Sequence, residues 1–384
     1  MVTVKERTIK NKRYVYVAGS VSYKGQSHRF EKLVGPSNSD PATLKRRTEF
    51  FRDLIELKCL YYRFYLTVRS KHLRILDKRL ILLIELIPFH FSEYLASLYP
   101  SEVEKYRQEF DVRYIHNTTA IEGNTVSLSE TGLIMESGIA PRSKKLREIF
   151  EITNYGSVLK FIRSYEKGMS TELFLELHRL IQRNIDDDSA GTFRKREVGI
   201  TGSELIPTPY PLIEEELQDL ITWYRENPDD LHPVELAGSF HHRFLTIHPF
   251  IDGNGRVARE LLNLILRWNG FPPIIIPVRE REGYIKALEQ GDSDTIKPFL
   301  EFIVRQLVRD YWNVLENLFR KLTTEGIAEQ FEEVNDEEEQ EIIGFLKWQF
   351  NLFYELMDTP SDSQIGPESI LSLLKNGFPG VTSN

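Results

Sequence analysis

The 384-residue chain has a single cysteine, Cys59, so no disulfide can form within it and its fold must rest on a packed core suited to a reducing compartment. Long apolar runs are also missing. The richest, Leu80 to Leu86, contains Glu85 and is far too short to cross a bilayer, and no charged-then-apolar leader opens the chain. These gaps lead to the expectation of a cytoplasmic protein with no membrane partner. No repeat or low-complexity segment is long enough to set the architecture. An overall excess of positive charge is lacking too: the net charge is −8, so the chain as a whole is not a nucleic-acid polyelectrolyte. What is present, 41% hydrophobic and 28% charged residues, suffices for a large core divided into two or three domains.

Charge is unevenly placed. Residues 1 to 50 carry eleven Lys or Arg against four acids, and residues 331 to 384 carry eleven acids against two lysines, an asymmetry that points to different partners for the two ends. The basic end reads as strands, Tyr14 to Tyr23 and Ser27 to Val34 about a turn at Lys24-Gly25, because aromatic and β-branched residues alternate there. A small antiparallel hairpin or three-stranded sheet is expected. Basic residues beside tyrosines suit nucleic acid, but a lysine-rich edge that prevents strand pairing between chains explains the same pattern and is preferred. A polar linker from Gly35 to Asp40 follows, with Asp40 as N-cap and Pro41 in the first helical turn. Helices are predicted from Pro41 to about Lys71, with Phe51, Leu54, Tyr61 and Tyr65 on the apolar face, and from Leu73 toward Leu98 with a break near Pro88. Their aromatic faces suit a homodimer contact.

Chemistry is concentrated in His248 to Arg259, which reads His-Pro-Phe-Ile-Asp-Gly-Asn-Gly-Arg-Val-Ala-Arg. Gly253 and Gly255 let the backbone approach a ligand and turn its N–H groups toward one point. Leu261, Leu262, Leu264 and Ile265 then follow at mainly helical spacing, so the loop opens into a helix N-terminus, where free N–H groups favour an anion. Arg256 and Arg259, three apart, share a face of the first turns and can reach outward to distal phosphates. Asp252 offers a hard oxygen for magnesium, and His248 is the one group here with a near-neutral unperturbed pKa, hence a candidate base. Each part has a plainer reading as an ordinary turn, a solvated helix face or a structural histidine. Together they describe a polyphosphate site with a base beside it.

The run resembles the signature of the Fic family (filamentation induced by cAMP), His-x-Phe-x-Asp/Glu-Gly-Asn-Gly-Arg-x-x-Arg, at all eight defined positions. The resemblance implies a helical enzyme domain that transfers AMP from MgATP to a hydroxyl side chain of a target protein and releases pyrophosphate. His248 would deprotonate the target Ser, Thr or Tyr, and Asp252 would bind Mg2+. Gly253, Asn254 and Gly255 would hold the α- and β-phosphates, and Arg256 and Arg259 the β- and γ-phosphates. Such chemistry is mostly positioning and charge stabilisation.

Upstream, Thr118-Thr119-Ala120-Ile121-Glu122-Gly123 is similar to the family's inhibitory motif, in the subgroup where the inhibitory helix precedes the core. Thr118 and Glu122 are four apart and share a helix face, and Gly123 suits a helix stop. The likeness implies that Glu122 pairs with Arg259 and takes the arginine meant for the γ-phosphate. In some relatives this glutamate also positions a water for removal of AMP. Gly191 to Arg194, then Val198-Gly199-Ile200-Thr201-Gly202 and Pro207, Pro209 and Pro211, read as an extended hairpin with a proline-rich exit. It looks like the family's flap, with Ile200, Thr201 and Gly202 beside the nucleotide and the flap over 198–211 docking the target by strand addition. Tyr284 matches a position where relatives carry an aromatic near the base, with a core tyrosine as the competing reading. His241 and His242 lie on or beside the stripe Leu236, Phe240, Phe244 and Ile247 and read as structural.

The expected fold is mainly α. A small basic β element over 1–38 precedes scaffold helices over 39–99, a Fic-type helical core over 100–310 with its inhibitory helix at 112–123 and a small hairpin flap, and a C-terminal acidic helical region over 311–384. Within the last, helix is expected to about Gln330 and from Ile342 to Met357, with an acidic patch over Glu332 to Glu341. The leading function is an autoinhibited protein adenylyltransferase, with self-modification as one outcome. The alternative is a nucleotide-sensing regulator whose N-terminus contacts DNA or protein.

Overall fold

A computed structural model describes residues 2–23, 26–68, 71–78, 80–200, 205–293 and 295–324. The expectations for 325–384, the turn at Lys24-Gly25, and Thr201 and Gly202 lie outside these residues. The described chain is mostly helical with one small sheet, as predicted. Two compact units divide it: Met1–His72 with Ile81–Glu85 and the end of the last helix from Asn313, and Leu73–Leu80 with Leu86–Trp312. The segment 39–99 contributes residues to both units.

The first unit opens with β1 (Thr3–Ile9), β2 (Lys12–Tyr23) and β3 (Gln26–Pro36), an antiparallel sheet in the order β1-β2-β3. Lys10 and Asn11 both have positive φ, the geometry that a two-residue hairpin turn requires. One face buries Val15, Val17, Val21, Phe30 and Val34 against Ile55 of α1 (Pro41–Val68). Gly19 permits that approach, since a Cβ there would stand 2.7 Å from Ile55 Cγ2. Asp40 caps α1 as predicted, accepting from Thr43 N–H at 2.9 Å and Thr43 Oγ1 at 2.8 Å.

Two helical expectations change. The second helix, α2 (Leu80–Ser97), runs through Pro88 instead of breaking there, forgoing the hydrogen bond that Pro88 cannot donate. It also begins at Leu80 and not at Leu73; the N–H groups of Arg74, Ile75 and Leu76 donate to the buried Glu235 carboxylate at 2.8 to 3.1 Å, which fixes this segment against the helix that carries Glu235.

The rest of the second unit is α3 (Pro100–Ala120), α4 (Leu128–Ser137), α5 (Leu146–Arg163), α6 (Thr171–Gln182), α7 (Ile213–Glu226), α8 (Pro233–Ile247), α9 (Asn254–Trp268), α10 (Arg281–Ser293) and, as far as Trp312, α11 (Lys297–Thr324). At its centre α9 is buried almost all round, from Arg256 through Leu266, with α8, α6 and α3 against it. Phe174 of α6 and Phe240 and Phe244 of α8 pack with Phe250 beneath the loop between α8 and α9. That loop is thus seated on a rigid aromatic floor. Among the described residues, no helix is long and apolar enough to cross a membrane.

Candidate active site

The apolar stripe of α8 ends at His248, a left-handed residue with φ 52° whose N–H still reaches Phe244 O at 3.0 Å. A non-glycine residue in that region is strained and must be held by its surroundings. Arg194 supplies the hold. Its buried guanidinium donates from Nε to His248 O at 2.8 Å, and to the carbonyls of Arg196, Thr208 and Ile247, while its own N–H donates to Pro249 O at 2.9 Å. His248 Nδ1 lies 3.2 Å from Leu245 O. A carbonyl only accepts, so Nδ1 carries the proton and Nε2 keeps the lone pair. Burial, aided by Arg194, lowers the imidazole pKa against the opposing pull of Leu245 O, Glu122 and Asp252, so the ring is neutral at neutral pH.

Beyond His248 the chain turns sharply and is pinned from three sides. Asn254 spends its side chain on the loop itself, accepting from Phe250 N–H at 2.9 Å and donating to Phe250 O at 2.8 Å. His178 of α6 stacks on Phe250 at 3.8 Å. Its Nδ1 accepts from Gly191 N–H at 3.0 Å, which leaves Nε2 to donate to Asp252 O at 3.0 Å. Burial drives the His178 pKa down to about 4, so this bridge stays neutral. Gly253 then takes φ 85° as the N-cap of α9, where a Cβ would crowd Gln182 Nε2 at 3.1 Å. The turn aims the N–H groups at the start of α9 outward, where they have no intrahelical acceptor.

Asp252 stands at the mouth. Oδ1 accepts from Gly253 N–H at 2.6 Å, and Oδ2 accepts from Arg147 of α5 at 3.0 Å and from Arg256 at 3.2 Å. Desolvation would raise its pKa, but Arg256, the Gly253 N–H and Arg147 outweigh this and hold it below the usual carboxylate value. One carboxylate with an exposed edge is a sparse metal site, and no group of three or more His, Cys, Asp or Glu that could hold a metal occurs among the described residues. Such a donor set fits magnesium only if phosphate oxygens and waters complete the shell.

Arg256 is not the outward-reaching side chain expected. It is 2% exposed and turned toward Asp252, with Glu151 Oε1 3.9 Å away, because α5 covers this side of α9. Its Nε and Nη1 are buried without a hydrogen-bond partner. Arg259, also 2% exposed, is gripped by α3: Nε donates to Thr118 Oγ1 at 2.9 Å, and Nη2 to Thr118 O at 2.9 Å and to Glu122 Oε1 at 2.7 Å. The helix expected over 112–123 runs from Pro100 and closes at Ala120, so Glu122 sits in the turn just beyond it, followed by Gly123 at φ 100°. That turn swings the carboxylate over α9. A Cβ on Gly255 would stand only 2.6 Å from Glu122 Oε1.

Other predicted residues lie elsewhere. Tyr284 is buried, its hydroxyl 3.0 Å from His241 Nε2 and its ring packed near Phe299 and Phe302, the surroundings of a core tyrosine. His241 is the buried structural histidine expected, and His242 pairs with Asp292 at 2.8 Å. The flap forms no strand among the described residues; its return limb contains Pro207 and Pro209, which cannot donate to a ladder, and turns into a short 3-10 helix at Tyr210–Leu212. Ile200 is half-buried at the end of this irregular segment. Reasoning from sequence did not single out His178, Arg194 or Arg147. Only Arg194 carried a signal, its place in Gly191-Thr192-Phe193-Arg194.

Beside Arg259, Glu260 is fully buried, and burial pushes its carboxyl up to about 7 against Tyr114 and Arg259. The folded chain keeps this proton to about pH 7 while the unfolded chain releases it near 4.5, so the stabilisation is complete below 4.5 and gone once the pH passes 7. Urea unfolding of Glu260→Gln is expected to show a flatter loss of stability across that window than the parent. Parallel curves would contradict the assignment.

A neutral imidazole, a helix N-terminus, two buried arginines and one acidic mouth residue thus meet on a helical frame. Residues 168–266 match the Fic/DOC family. It is 31% identical over 276 residues to a protein adenylyltransferase, fic-1 of Caenorhabditis elegans, a match covering 70% of this chain and 49% of that protein. The chain thus spans about half the length of the curated relatives it matches. Among solved structures, Fic-1 (residues 134 to 508) of C. elegans aligns with TM-score 0.56 at 28% identity, covering 74% of this chain and 79% of that one. A Fic domain containing signaling protein of Bacteroides thetaiotaomicron aligns with TM-score 0.55 at 26% identity, covering 60% and 96%.

Proposed function

We propose that this chain is a protein adenylyltransferase held off by Glu122. The reading rests on one observation above all: Glu122 Oε1 lies 2.7 Å from Arg259 Nη2 and over Gly255, so a carboxylate already sits where the first turn of α9 and Arg259 would receive a phosphate. With Glu122 withdrawn, the N–H groups at the start of α9 face the polyphosphate, and Arg259 takes its distal end. His248 Nε2 accepts the hydroxyl proton of the target. The freed oxygen attacks the α-phosphorus, the bond from the α-phosphorus to the α,β-bridging oxygen breaks, and pyrophosphate leaves with the bonding electrons. Asp252 is the residue that would hold magnesium, which when bound would offset the charge of the phosphates. The target, another protein or this chain itself, is presented along 198–211.

The test separates the two ends of the nucleotide. Incubated with Mg2+ and a cell lysate, the Glu122→Gly variant is expected to place label on protein from α-labelled ATP and none from γ-labelled ATP. Label from the γ position alone, or from neither, would overturn the proposal. The rate should also follow His248. Because the base must be neutral and its pKa lies below the usual 6.5, transfer is expected to be level from neutral pH upward and to fall in acid with a midpoint under 6.5. A midpoint above neutrality would exclude His248 as that base.

A further inference from the structure

The second face of the N-terminal sheet is open and carries its own chemistry. The register that sends Val15, Val17, Val21 and Phe30 into the core places Lys5, Arg7, Lys12, Tyr14, Tyr16, Arg29 and Glu31 on the opposite side. Four basic side chains thus share this face with one acid, and that acid is occupied: Glu31 pairs with Arg7 at 2.5 Å and with Arg29 at 2.8 Å. Arg7 also lies over the Tyr16 ring at 5.1 Å, so the two arginines are held in a row across the strands while their side chains stay 43% and 48% exposed. Beyond Arg29 the face is low, with Ser20, Ser22 and Ser27 on it. The positive charge is therefore spread over a face; a protective edge alone would confine it to the rim.

We propose that this face binds duplex DNA by entering the major groove. Three strands span about 10 Å from first to last, and the groove is about 12 Å wide and admits β-structure. The right-handed twist of a short sheet follows the groove, and the serines at one end let the backbone descend there while Lys5, Lys12 and the arginines meet phosphates and base edges. The A-form major groove of double-stranded RNA is too narrow to accept it.

The test uses the full chain and a fluorescein-labelled random-sequence DNA duplex, read by anisotropy at low and moderate salt. Binding is expected that weakens with salt. The Arg7→Ala/Arg29→Ala variant should bind at least about tenfold more weakly, with a salt slope shallower by about two. Lys5→Ala/Lys12→Ala, which leaves the Glu31 pairs intact, should weaken binding comparably, and Glu31→Gln should tighten it. A melting curve identifies any variant that has lost its fold, in which case the lysine pair decides. No binding at low salt, undiminished binding by the lysine pair, or equal or tighter binding of double-stranded RNA or single-stranded DNA would overturn the proposal.

Discussion

Glycine in place of Glu122 is expected to raise the rate of AMP transfer roughly ten- to a hundredfold. A hydrogen bond to a charged group contributes about 1.5 to 3 kcal/mol, and each 1.4 kcal/mol is about tenfold in a population. The Glu122 contact to Arg259 is such a bond, at 2.7 Å and with the arginine end almost fully buried. Removing it does not strip Arg259 of partners, because Thr118 still accepts from Nε and Nη2. The fold should therefore survive with a modestly lower melting temperature, and the gain should appear in turnover. Glu122→Gln serves as the control: it keeps the volume, loses the charge, and should fall between parent and glycine variant. Equal rates in all three forms would show that Glu122 does not hold the site closed.

Placed in the activated Glu122→Gly chain, His248→Ala is expected to lower transfer roughly 10²- to 10⁴-fold, the usual span for a general base. Nucleotide affinity should change little, because the phosphate donors lie on α9 and not on the imidazole. Measured by label incorporation and by calorimetry with ATP, this split separates chemistry from binding. Parallel losses in both would mean that His248 mainly shapes the strained turn at φ 52°. Arg194 offers the contrast. It holds the backbone of His248, and lysine keeps the positive charge that helps lower the imidazole pKa, so Arg194→Lys should loosen the turn and lower the rate without moving the acid midpoint.

The signature was legible because its parts are neighbours in sequence: a loop, a helix start and the spacing of Arg256 from Arg259 need no tertiary knowledge. The three-stranded sheet, the Asp40 cap and the structural character of His241 followed from alternation, turn residues and helical periodicity in the same way. The contact from Glu122 to Arg259, 137 positions apart, could be expected only through the family resemblance. His178 and Arg194 escaped because their partners are main-chain atoms of a distant loop, and main chain has no sequence signature. Arg256 was misjudged for a related reason. Three-residue spacing tells which helix face it shares with Arg259 but not that α5 will cover that face.

The central claim is that Arg259 has two alternative partners, the Glu122 carboxylate and the distal phosphates of ATP. Mass spectrometry of three forms after incubation with MgATP tests it most directly: the parent, Glu122→Gly, and Glu122→Gly/Arg259→Ala. The account predicts a 5′-adenylyl adduct on the glycine variant, little or none on the parent, and its disappearance in the double variant, where release from Glu122 has no arginine to free. An adduct equally abundant in the parent, or undiminished in the double variant, would contradict it.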